Sequence, residues 1–153
     1  MLDLVIKNVK IYDGTESAAY VADIGIRNER ICEIGKVEED CAREHIDAAG
    51  LCVMPGFIDT HCHSDMALLY DRQHANGIQQ GITTEILGQD GLSYAPLSHD
   101  NLEMYARYLR GLNGWFEDIP LNFSSVSEYL SRFDKKVAPN VAYQVPHGTV
   151  RLE

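Results

Sequence analysis

The sequence predicts an α/β protein: a small β unit over residues 1–53, then, over residues 54–153, the first three βα-type units of an incomplete TIM (β/α)8 barrel. Three observations lead there. Up to residue 53, β-branched and apolar residues come in short alternating runs between turn residues, the pattern of hairpin strands. After Asp65, strand-like runs alternate with helical periodicities, the pattern of βαβ units and hence of a parallel sheet. Finally, a closed barrel takes about 250 residues, whereas the residues after position 54 supply three such strands, so the chain reads as the front part of a larger protein. A partial barrel of this kind leaves a bare strand edge and uncovered apolar faces.

Taken in order, Leu4-Val5-Ile6 and Val9-Lys10-Ile11-Tyr12 are two short β-prone runs, and Asp13-Gly14 marks a turn. Residues 22–27 alternate toward Asn28-Glu29-Arg30, and residues 31–35 return as a hairpin partner. Asn28-Glu29 lacks the glycine that the tightest hairpin turns favour. Residues 37–45 are charged and loop-like, and residues 46–51 carry the chain onward. The apolar stretch 51–58, punctuated by Pro55-Gly56, is expected to end as a short buried strand at His61-Cys62-His63. Residues 71–80 read as a helix with Gly81 as its left-handed terminator. Residues 82–87 form a second strand, closed by Gly88 and Gly91.

Leu102, Tyr105, Leu109 and Leu112 then stripe a helix opened by Asp100-Asn101 and ended by Gly111 and Gly114. Ser125 followed by Glu128 has capping-box spacing ahead of a second stripe, Val126, Tyr129, Leu130 and Phe133. Pro139 stops the segment after this stripe, and residues 141–145 are a third strand ending at Pro146-His147-Gly148. Helical spacing alone makes the leucine and aromatic stripes core positions.

Composition narrows the function classes. With 45% hydrophobic residues in 153, the chain has the makings of a globular core. Thirteen Lys and Arg against 23 Asp and Glu, a net charge of -10, argue against a nucleic-acid backbone as partner. The amino terminus has neither the basic nor the apolar segment of a signal peptide. No apolar run approaches the ~20 residues needed to cross a bilayer, so no membrane partner is expected. Cys32, Cys41, Cys52 and Cys62 show no Cys-x-x-Cys spacing, and reduced thiols in a cytoplasmic protein are the expectation.

The residues with the most chemistry are His61 and His63. Side chains alternate along a strand, so the two imidazoles would share one face and Cys62 the other. Strand ends are where parallel barrels keep their chemistry. Neutral imidazoles so placed would chelate a divalent ion, zinc above all, at about 2.0–2.1 Å. Two ligands do not close a site. Asp90, at the end of the next strand and flanked by glycines that allow close backbone approach, is the third candidate; its alternative is an ordinary turn aspartate.

His147, at the end of the third strand, is either a catalytic-pocket residue touching substrate or a structural histidine. Asp59 is expected to support the ligands from below, and Ser93 and Tyr94 to line the pocket. His45, His74 and His99 are expected to be solvated. Cys62 is a packing residue rather than a nucleophile.

These segments carry a resemblance. Pro55-Gly-Phe-Ile-Asp-Thr-His-Cys-His63 followed by Gly81-Ile-Thr-Thr84 resembles the metal-dependent amidohydrolases, and the whole chain resembles their amino-terminal third. Gly88-Gln-Asp-Gly-Leu-Ser-Tyr-Ala-Pro96, Phe123-Ser-Ser-Val-Ser-Glu-Tyr-Leu130 and His147-Gly-Thr-Val-Arg151 are most similar to the D-aminoacylases, the N-acyl-D-amino-acid deacylases. The resemblance implies a composite β-sandwich ahead of the metal-dependent-hydrolase barrel, one or two zinc ions, and hydrolysis of a non-peptide C–N bond in a small N-acyl amino acid or related amide. It leaves a homo-oligomer open.

One departure stands out: D-aminoacylases place a cysteine ligand, in a Gly-Asn-Cys-Gly context, where this chain has Asp90. Their other histidine ligands and acidic base lie on later strands, so these 153 residues alone are expected to be inactive. Two further readings share the histidine pair. One is a dihydroorotase- or hydantoinase-type cyclic amidohydrolase, which would need a carbamylated lysine on a later strand. The other is a non-catalytic truncated barrel module.

Overall fold

Strand β1 (Leu2–Ile11) is the spine of the first half of the chain. It pairs antiparallel with β2 (Tyr20–Arg27), which pairs antiparallel with β3 (Arg30–Gly35). On its other side β1 runs parallel to β4 (Ala42–Asp47) and, further along, to β5 (Cys52–Val53). The two β-prone runs are therefore one strand. A register slip between Ile6 and Val9 interrupts it, with Asn8 in the left-handed region at φ 58° and its amide held by Asp23 Oδ1 at 2.9 Å.

This computed structural model describes residues 1–38 and 41–153, which divide into two compact units, Met1–Pro55 and Gly56–Glu153. In the first unit the β2–β3 hairpin turns without glycine. Asn28 and Glu29 both take left-handed φ values, 51° and 62°, and Asn28 N–H donates to Asp3 Oδ2 at 2.7 Å. Residues 37–45 are not simply a loop, since β4 begins at Ala42 and gains its ladder from β1; positions 39 and 40 lie outside the described residues. Val9, Ile11, Ile24 and Ala48 form one buried cluster, and Leu2, Val5 and Val37 another.

The second unit is built on three parallel strands in the order β6 (Phe57–Asp59), β7 (Ile82–Leu87), β8 (Asn140–Tyr143). Helical connections join them, so the unit is mixed α/β of the βαβ kind. Between β6 and β7 lie two single-turn helices, α1 (Ala67–Tyr70) and α2 (Ala75–Ile78). The expected helix over residues 71–80 is broken because Asp71 turns extended and its Oδ1 accepts the amides of Gln73 and His74, an arrangement that competes with helix. Gly81 does end this segment, at φ 85°.

A 3-10 turn at Gln89–Gly91, α3 (His99–Asn113) and α4 (Val126–Leu130) connect β7 to β8, and α5 (His147–Leu152) comes after β8. In α3 the buried face is Leu102, Tyr105, Ala106, Leu109 and Asn113. Leu112 is exposed and Gly111 lies inside the helix, so Gly114 alone ends it. The Ser125–Glu128 capping box forms as its spacing predicts.

Tyr94, Leu97, Leu102, Phe123, Tyr129 and Phe133 centre a core on the helical side of the sheet. The strand leading to the histidines is not buried: Phe57 and Ile58 are exposed, because β6 is a sheet edge and no further strand pairs with it among the described residues. No helix among the described residues is long and apolar enough to cross a membrane.

Candidate metal centre

His61 and His63 lie just beyond the carboxyl end of β6 rather than on it. The Asp59 side chain shapes this exit, its Oδ1 accepting the His61 amide at 3.1 Å. Asp90 comes from the turn after β7, the strand beside β6. Its backbone is left-handed at φ 56°, which aspartate tolerates better than most residues, between Gly88 at 84° and Gly91 at 77°. The turn aims the carboxylate back over the end of β6. His61 Nε2 and His63 Nε2 each lie 3.2 Å from the same oxygen, Asp90 Oδ2.

The three side chains thus place one ligand atom each within 4.8 Å of one another. Two imidazole nitrogens and a carboxylate oxygen are a donor set suited to zinc, and their convergence on one point fits a bound divalent cation. Exposure is graded across the cluster: the His61 and Asp90 side chains are open to solvent, whereas His63 retains 21% of its accessible surface. One side of the cluster therefore remains accessible to a small molecule. His147, exposed, opens α5, where its Cβ packs toward Gly91, next to Asp90 in the chain; it is not among the three converging donors.

Behind the donors the structure departs from several expectations. Ser93 and Tyr94, expected to line the pocket, are both fully buried, Tyr94 within the core cluster. Ser93 Oγ donates to Asp65 Oδ1. Asp65 is itself fully buried, and burial pushes its carboxyl up to about 6, against the Ser93 hydroxyl, its own amide, the His63 ring and the Gly88 amide, which hold it down.

His74 is not solvated. Its Nε2 lies 2.7 Å from Oε1 of Glu85, a buried carboxylate on β7, and the ring lies over Gly77, where a Cβ would collide with it. Cys62 packs against the core cluster and is not among the converging donors. Its Sγ lies 3.5 Å from Glu85 Oε2, and burial, then the Glu85 charge, push its thiol up to about 12, the state of an inert packing cysteine. His45 and His99 are exposed, and all four cysteines are free.

Asp65 and Glu85 are the residues that sequence reasoning missed. Glu85 had a signal, a lone charge in the β-prone run Ile82-Thr-Thr-Glu-Ile-Leu87. Asp65 had none, since an aspartate after His-Cys-His-Ser reads as a loop residue until its burial is seen.

The chain is 35% identical over 150 residues to a D-aminoacylase of Alcaligenes xylosoxydans xylosoxydans, a match that takes in 97% of this chain and 30% of that protein. It thus spans about a third of the length of the curated relative. A crystal structure of N-acyl-D-glutamate deacylase from Bordetella bronchiseptica, complexed with zinc and a phosphonate mimic of the tetrahedral intermediate, superposes with a TM-score of 0.81 at 34% identity, over 99% of this chain and 31% of that one. An L-hydantoinase from Arthrobacter aurescens reaches a TM-score of 0.50 at 25% identity, over 70% of this chain and 25% of that one. The parallel strands, the histidine pair at the end of β6 and the match of residues 44–151 to the amidohydrolase family model together place the chain in the amidohydrolase family.

Proposed function

We propose that this chain carries part of the metal centre of a hydrolase that deacylates N-acyl-D-amino acids, with a small N-acyl amino acid as substrate and zinc as cofactor. The observation that carries the reading is the convergence of His61 Nε2 and His63 Nε2 on Asp90 Oδ2, each at 3.2 Å. His61, His63 and Asp90 would hold the ion. When bound, such an ion acidifies water and polarises a scissile carbonyl, the chemistry that amide hydrolysis needs.

The chain's own residues supply the scaffold for that chemistry. Asp59 fixes the His61 backbone, and the left-handed turn at Asp90 presents the carboxylate to both imidazoles. An aspartate in place of the cysteine of the resembled enzymes keeps an anionic donor and makes it harder, which suits an oxygen-tolerant ion such as zinc. His147 stands at the Gly91 turn, where it can meet a substrate group entering over Asp90. The deacylase reading is preferred to a cyclic-amide hydrolase because the likeness to the N-acyl-D-glutamate deacylase is the greater in both identity and superposition.

The test is metal analysis of the full-length protein together with acetate release from N-acetyl-D-amino acids. Bound zinc and release selective for the D enantiomer are expected. A metal-free protein inert toward these substrates refutes the proposal, and turnover of hydantoins instead moves it to the cyclic-amide class.

A further inference from the structure

A small cleft of about 180 Å³ in the second unit brings two arginines together. Leu69, Ile119 and Phe123 line it, and Arg72, Asp118 and Arg132 supply its charged groups. Arg72 also fixes its place, since its carbonyl accepts the Ala138 amide at 2.8 Å, just before β8 begins at Asn140. The cleft therefore sits at the amino-terminal end of the parallel sheet, whereas His61, His63 and Asp90 gather beyond the carboxyl ends of β6 and β7.

The two guanidiniums are held but not neutralised. Arg72 Nη1 donates to the Arg132 carbonyl at 3.1 Å, and Arg132 Nη2 donates to the Asn122 carbonyl at 2.9 Å. The guanidinium carbon of Arg132 lies 5.9 Å from the centroid of the Phe123 ring, which restrains it further. All these partners are uncharged. Among the described residues neither arginine is paired with a carboxylate, although the chain as a whole has a net charge of -10. The Nε–H of Arg132 is buried and has no hydrogen-bond partner among them. A buried donor left unmet is costly, so it marks a place where a further acceptor is called for.

Guanidinium groups present several N–H donors in a rigid plane, a match for the paired oxygens of a carboxylate or phosphate. Asp118 sets one negative charge against the two positive ones, which limits how much anionic charge the cleft can take. We infer that this cleft is a second ligand site, separate from the metal centre, which holds the carboxylate or phosphate group of a small molecule between Arg72 and Arg132. It does not depend on the metal-centre reading.

The experiment uses the full-length protein, stripped of metal and held at constant ionic strength with chloride. Calorimetric titration with inorganic phosphate and with acetate is expected to show saturable binding to a single site, and the tighter of the two anions assigns the ligand group. Arg72→Gln and Arg132→Gln should each weaken that binding by about 10- to 100-fold, the worth of charge-assisted hydrogen bonds. Asp118→Asn should tighten it by about 2- to 5-fold, because a repelling charge is removed from an exposed position. A gain in affinity is a result that damage to the fold does not produce, so this variant decides the matter even where an arginine variant fails to fold.

No saturable binding of either anion overturns the inference. So does an affinity that both folded arginine variants leave unchanged, or one that Asp118→Asn fails to raise. His61→Ala is run beside them: anion binding that this variant abolishes belongs to the metal centre and also overturns the inference, whereas binding that it retains places the anion at the arginines.

Discussion

Replacing Gly88 by alanine tests how the Asp90 carboxylate is delivered. Gly88 has φ 84°, and a Cβ built there would overlap the carbonyl oxygen of Gln144, the residue just past β8 whose amide donates to Leu87 O at 3.0 Å. A left-handed conformation costs an ordinary L-residue about 1–2 kcal/mol, and overpacking against rigid backbone adds about 1–3 kcal/mol, so a loss of about 3 kcal/mol is expected. Gly91→Ala supplies the internal comparison. Its φ of 77° carries the same dihedral penalty, but the nearest atom to a new Cβ is Gly148 N at 3.5 Å, an ordinary contact. That variant should lose only the ~1–2 kcal/mol dihedral cost.

Urea unfolding monitored through Trp115, the single tryptophan, reads the unit in which both glycines lie. Gly88→Ala should shift the midpoint to clearly lower denaturant than Gly91→Ala at unchanged slope. Zinc affinity should fall more in Gly88→Ala as well, since relief of the overlap moves the turn that carries Asp90. Equal losses in the two variants, or none in Gly88→Ala, would refute the view that the turn is pinned by its contact with the end of β8.

Three further outcomes are expected. Asp90→Asn keeps a residue tolerant of left-handed φ but loses the charge, so by calorimetry zinc binding should weaken at least 10-fold while thermal stability stays near wild type; matched affinities would remove Asp90 from the donor set. Ser125→Ala deletes one half of the capping box and should cost about 1 kcal/mol in the same urea assay, with no effect on zinc. The two units should respond oppositely to acid. Lys7, then the amides of Asn8 and Val37, hold the Asp23 carboxyl down to about 2, below its unfolded value; its contribution is therefore full above pH ~4 and lost as pH falls through about 2. Asp65, raised to about 6, takes up its proton in the folded state first, so its burial penalty is present above pH 6 and relieved between pH 6 and 4. Asp23→Asn should flatten the first limb and Asp65→Asn the second, measured as unfolding free energy against pH; a variant that leaves its limb unchanged contradicts the assignment.

The parts legible in the sequence are those encoded by local chemistry. Period-2 runs locate the strands, the Ser125–Glu128 spacing locates a capped helix, and the His-x-His pair with a glycine-flanked aspartate one strand later names the three side chains that converge. The illegible parts depend on partners far along the chain. β4 is a strand because β1 offers it a ladder, and nothing in Ala42–Asp47 alternates strongly enough to say so. His74 reads as solvated because its polar neighbours in sequence are exposed, while its actual partner, Glu85, reaches it across the layer between helix and sheet. Ser93 and Tyr94 read as pocket residues because they come after a strand end, yet the loop they sit on dives into the core to meet Asp65.

The three donors fall between positions 61 and 90, and Asp59, whose side chain holds the His61 amide, extends that span by only two positions. Contacts of such short sequence separation close quickly, whereas distant pairings wait on slow loop closure. During synthesis this stretch leaves the ribosome ahead of α3, α4 and β8, and domains tend to organise in that order. An ion captured at that stage would stabilise the early βαβ segment by mass action before β8 arrives. Metal supply would then govern how much of the nascent protein reaches its folded form, and zinc-depleted cells should accumulate less of it even at constant messenger level.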